Sequence, residues 1–146
     1  MQAKVHHADA EMIKRDIRKL QRIVQVTALL YRQRIVEVAE ARARCAELAA
    51  AASRVAQLID DPLGDGARLQ EFALLRAARL RQDLASANRE LANGLETAGA
   101  ALVTLKGAER VLRAMQSNAD REAAERALNE ILERPLRRSG SLDPLR

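Results

Sequence analysis

Between Asp60 and Arg68 the chain reads DDPLGDGAR, and these nine residues decide how both flanks are folded. Three aspartates, one proline and two glycines fall together there. Proline has no amide hydrogen to donate and glycine loses the most backbone entropy on ordering, so a helix arriving at Asp60 stops. Asp61 or Asp65 can cap a new helix, because a short carboxylate accepts from the free amide groups of a first turn. The stretch reads as the tip of a helical hairpin, residues 61–66, with a long arm on each side.

Upstream of the tip, one heptad register runs from Ala10 to Ile59. Its a positions are Ala10, Ile17, Val24, Tyr31, Val38, Cys45, Ala52 and Ile59. Its d positions are Ile13, Leu20, Thr27, Arg34, Ala41, Leu48 and Val55. Arg34 alone breaks the pattern, and its aliphatic stem can lie along the seam with the guanidinium in water. Ile23, Leu30, Ile35 and Leu58 are expected to widen the stripe. A period of 3.5 held over this distance argues a coiled-coil helix across 10–60.

Downstream lies LASANRELANGLETAGAALVTLKGAERVLRAM, Leu84 to Met115. Its a positions continue a series from Ala77 through Leu84, Leu91, Ala98, Leu105 and Leu112. The d positions are Ala73, Leu80, Ala87, Gly94, Ala101, Ala108 and Met115, with Leu95 and Leu102 alongside. Small residues at d let antiparallel backbones approach while leucine at a fills the remaining space. Gly94, Gly99 and Gly107 each cost up to about 1 kcal/mol in a helix, which close approach to a partner helix would offset. The expected fold is all-α: a long two-helix antiparallel coiled-coil hairpin, with arms 10–60 and 67–134. Residues 1–9 read as a flexible N-terminus and 135–146 as a disordered tail.

Pairing about Leu63 sets residue i opposite roughly 126 − i in such a hairpin. The second arm's register fails where the first arm runs out: Glu122 and Asn129 fall on d and Arg126 on a. A new stripe, Ala124, Leu128, Ile131 and Leu132, appears out of phase and runs to Pro135, which should end the helix. The segment from about Ala119 to Arg134 is therefore expected to be amphipathic and to lack an opposing strand of its own hairpin.

Composition agrees with rods. Of 146 residues 48% are hydrophobic but 1% aromatic, with one Tyr, one Phe and no Trp. Enzyme pockets are usually walled by aromatic bulk; this bias belongs to long helices. His6 and His7 have no further His or Cys at a metal-ligand spacing. Cys45 lies on an a position and reads as a packing thiol. LGDG lacks the lysine of a phosphate loop. The carboxylates fall on solvated faces, so no catalytic, metal or cofactor site is expected. The single cysteine precludes an intramolecular disulfide. MQAKVHHADAEMIKRD has no signal-peptide core, and no run of about eighteen apolar residues exists to span a bilayer. A cytoplasmic location is expected.

The formal net charge is +5. Most cations alternate with acids, as in EVAEARARCAEL, and read as a solvated face laced with pairs such as Glu40 with Arg44. The run KRDIRKLQR, with Lys14, Arg15, Arg18, Lys19 and Arg22, is denser. It suits an acidic protein surface or phosphates, against the plainer reading of a solvated face. Nucleic acid is disfavoured by the lack of stacking aromatics and by a basic run placed inside the heptads. Near the tip, Leu63, Leu69, Phe72 and Leu75, with Leu74, are more apolar surface than one seam can cover. Phe72 either caps the core or belongs to an exposed contact patch.

An antiparallel hairpin with an open basic end and an apolar tip resembles the flagellar FliJ family and the stalk proteins of type III secretion injectisomes. The resemblance extends from Ala10 to Arg134 and rests on architecture, length, the place of the turn and the tip motif LQEF, Leu69 to Phe72. It implies a non-enzymatic stalk joining a hexameric export ATPase to a membrane export-gate protein. Arg15, Arg18, Lys19, Arg22, Ala124, Leu128, Ile131 and Leu132 would enter the ATPase ring, while Leu63, Leu69, Phe72 and Leu75 would meet the gate. Binding of export chaperones is a further implied activity. The competing class is a structural adaptor or dimerising protein, in which the C-terminal stripe completes a four-helix bundle.

Overall fold

A computed structural model describes the backbone of residues 2–60 and 66–139, and the side chains of residues 8–60 and 68–133. Two helices, α1 (Gln2–Asp60) and α2 (Gly66–Ser139), make up this whole extent, with no strand among the described residues. The expected tip, including Leu63, lies outside the described residues apart from Gly66, as do residues 140–146 of the expected tail.

Both helices outrun their expected ends. α1 begins at Gln2, so the segment expected to be flexible is helical from there to Asp9. The heptad pattern starts at Ala10, but nothing in QAKVHHAD breaks a helix, so the helical backbone begins earlier than the pattern. α2 passes Pro135 and continues to Ser139. A proline removes one intrahelical donor, here the one for the Ile131 carbonyl, but its fixed φ is itself helical, so one lost bond does not end the helix.

The chain divides into two units, Val26–Leu105 and Met1–Gln25 with Lys106–Arg146. In the first, α1 and α2 are antiparallel. A Cβ built on Gly94 would lie 3.5 Å from Val38 Cγ2, and Arg44 donates to Glu90 across 3.3 Å. Going up α1 from Val38 to Arg44 means going down α2 from Gly94 to Glu90. The expected pairing is corrected here, since it placed Asn88 opposite Val38 and Gln82 opposite Arg44. A heptad seam can set Val38 in the same layer as Ala87 or as Gly94, one heptad apart, and the midpoint of the turn does not choose between them. Gly94 is the residue found.

Shielding from solvent follows the heptads closely. Every a and d position from Ala10 to Ile59 is at least half-buried except Arg34, and every one from Ala73 to Met115 is too. Among the described residues the buried core consists of Val38, Val55, Leu80, Ala87, Ala98 and Leu105, all in the 26–105 unit. The described residues of the other unit have only partial shielding, from Ala10 to Val24 on α1 and from Ala108 to Ala119 on α2. Ile23, Leu30, Ile35 and Leu58 do not widen the stripe; they are exposed, and so is Leu95, while Leu102 is half-buried. Packing one helix on one other covers a narrow a/d seam and leaves its flanks wet.

The glycines need a second correction. An added Cβ at Gly99 or Gly107 would meet nothing within 4 Å, and at Gly94 it would make an ordinary contact. Close approach therefore explains neither Gly99 nor Gly107, and Gly94 could tolerate alanine.

Candidate functional site

Beyond Ala119 the shielding stops. All residues from Asp120 to Glu133 are exposed, including Leu128 at 61%, Ile131 at 63% and Leu132 at 60%. The heptad phase explains the break: Glu122, Arg126 and Asn129 occupy the positions that would continue the seam, and charged groups do not enter an apolar contact without partners. Ala124, Leu128, Ile131 and Leu132 gather instead on one side of α2, because residues three and four apart share a helix face. The side chains of this segment are thus exposed, but the expected reason, a first arm that runs out near residue 9, does not hold, because α1 is helical from Gln2 and the register found differs from the expected one. Arg126 is tied to Glu122, donating to its carbonyl oxygen at 3.1 Å.

In the same unit α1 presents the basic run. Lys14 pairs with Glu11 at 3.0 Å and Lys19 with Asp16 at 3.6 Å, both at the solvent surface. Such pairs contribute at most about 1 kcal/mol and open easily. Arg15 and Arg22 stand on the side of α1 away from its seam, together with Lys19 and the exposed Met12. Arg18 lies farther round the helix, and it is exposed as well. The basic face and the C-terminal stripe belong to one unit but to different helices.

Near the start of α2, Leu69, Phe72 and Leu75 are each about two-thirds exposed. Phe72 therefore does not cap the core. These three form a slanting stripe at i, i+3 and i+6, while Leu74, also exposed, faces another side. Leu63, assigned to the same patch from the sequence, lies outside the described residues.

Sequence reading passed over a second set of exposed apolar residues: Met12, Val26, Leu29 and Val36 on α1, and Val103 on α2. They occupy c and f positions, where a two-helix seam has no use for them, and that misplacement was a signal available in the register itself. An open groove of about 730 Å³ runs along the 26–105 unit, lined by Arg44, Arg54, Arg76, Asp83, Glu90 and the side of Leu80. Its charges are solvated. No ionisable side chain is buried among the described residues, no group of three or more His, Cys, Asp or Glu could hold a metal there, and Cys45 is half-buried at its a position. Among the described residues no helix is long and apolar enough to cross a membrane.

Comparison with family models, with curated proteins and with solved structures finds no match to this chain.

Proposed function

We propose that this protein is a non-enzymatic antiparallel coiled-coil stalk of a flagellar or type III protein export apparatus, coupling an export ATPase ring to the membrane export gate. The observation that supports it is the exposed stripe of α2. A helix that keeps its apolar face in water for fourteen residues beyond the end of its own seam has a surface made for another protein. The basic face of α1 offers a complementary site for acidic side chains in the same unit. Leu69, Phe72 and Leu75, near the turn, give a second, apolar surface separate in sequence from the first, as a connector needs. A rod with two contact surfaces requires no buried titratable group, and the described residues have none. The location that follows is cytoplasmic, at the export apparatus, with membrane association only through partners.

A pull-down of a hexameric export ATPase tests this reading. Wild-type protein should capture the ATPase, and the Leu128→Asp/Ile131→Asp double variant should lose most of that capture. Undiminished capture by the variant would remove the proposed ring site, and no capture by either protein would remove the stalk. The alternative, a structural adaptor unrelated to export, gains support from the same exposed stripe only if the partner proves to be something other than such a ring.

A further inference from the structure

The two exposed surfaces of the 1–25 and 106–146 unit match each other in sign. From Glu11 to Arg22 there are five cations, Lys14, Arg15, Arg18, Lys19 and Arg22, against the two carboxylates Glu11 and Asp16. From Asp120 to Glu133 the balance is reversed, with five carboxylates, Asp120, Glu122, Glu125, Glu130 and Glu133, against Arg121 and Arg126. Each stretch also displays apolar side chains: Met12 on the first, and Leu128, Ile131 and Leu132 on the second. Both are helical and of similar length. The basic face points away from the seam that its own α2 occupies, so one molecule does not bring the two together.

We propose that a second copy of this chain is the occupant. The acidic segment 120–133 of each molecule lies on the outer face of the other's α1, around Met12, Arg15, Lys19 and Arg22. The contact is reciprocal, as a two-fold axis requires, so each copy contributes the same two surfaces once. Complementary charge selects and orients the partner, while burial of Leu128 and Ile131 provides the attraction that remains at high salt. Each half of the interface is a single short pair of helices, at the small end of specific contacts, so the dimer forms at high concentration and dissociates on dilution. It covers the residues that the stalk reading assigns to the ATPase ring, so dimer and ring complex exclude one another. The proposal does not depend on that reading, because it needs only the two surfaces described.

Sedimentation or light scattering on the purified chain tests it, from about 1 μM to about 1 mM, a range that brackets weak interfaces. The mass should rise from the 16.1 kDa of one chain towards twice that value. Two variants then separate this contact from any other. Arg15→Glu/Arg18→Glu/Arg22→Glu makes both surfaces acidic, and Glu125→Lys/Glu130→Lys/Glu133→Lys makes both basic. All six positions are exposed, and helicity by circular dichroism checks that each variant folds. Each variant alone should associate at least about tenfold more weakly than wild type, and an equimolar mixture of the two should associate again. A wild-type chain that stays monomeric throughout, or variants that associate alone as well as wild type, would overturn the proposal. So would a mixture that fails to recover. No ATPase is present in this experiment, so its outcome is separate from that of the pull-down.

Discussion

Val38 and Gly94 meet in the best-shielded part of the protein, and the difference between such positions and their exposed neighbours sets what single substitutions do. Val38→Ala or Leu80→Ala removes buried methyl groups from a core that, among the described residues, has six buried side chains. The first should cost about 1–2 kcal/mol and the second about 2–3 kcal/mol, measured by urea denaturation. Leu128→Ala, at an exposed position, should stay within about 0.5 kcal/mol of wild type. Gly99→Ala and Gly107→Ala should each raise stability by up to about 1 kcal/mol, since the new methyl group meets nothing within 4 Å and a flexible helix residue is replaced. A loss of stability at either glycine would mean that the helix there is not regular. Arg44→Ala should cost less than about 1 kcal/mol, because both ends of its pair with Glu90 are more than half exposed.

At the scale of the element, shielding grades along both helices. Among the described residues, buried side chains occur only in the 26–105 unit, partial shielding extends from Ala10 on α1 and to Ala119 on α2, and from Asp120 to Glu133 there is none. Native-state hydrogen exchange should follow this order, slowest between Val38 and Val55 and between Leu80 and Leu105, and fastest from Asp120 to Glu133. Uniform protection along α2 would contradict it. Much of this was legible in the residues. The a and d positions were readable because an apolar residue every three and four places has one physical use, and even the break at Glu122 stood in the text as charges on seam positions. Helix ends were not readable in the same way: Ala10 marks where the apolar repeat begins and Pro135 where one hydrogen bond is lost, whereas the backbone continues to Gln2 and Ser139. Ile23, Leu30, Ile35 and Leu58 were misread because hydrophobicity does not reveal how many neighbours a helix has.

For the molecule as a whole, what the heptads leave open is the choice between registers one repeat apart. In one, Arg44 reaches Glu90 and Val38 reaches Gly94; in the other, Arg44 would face Asp83 and Val38 would face Ala87. Each satisfies the seam and pairs opposite charges, so local preference does not separate them. The candidate surfaces were partly legible for a related reason: an unpartnered stripe can be recognised from its phase, but its partner's identity is not written in it. The proposed stalk rests on α1 and α2 being antiparallel. Cysteine cross-linking in a Cys45→Ala background tests that arrangement and its register most directly, because a disulfide forms only when the Cβ atoms come within about 4.5 Å. Val38→Cys/Gly94→Cys should oxidise readily to a disulfide within one chain, and Val38→Cys/Ala87→Cys should not. The reverse order, or cross-links that form only between chains, would contradict the account.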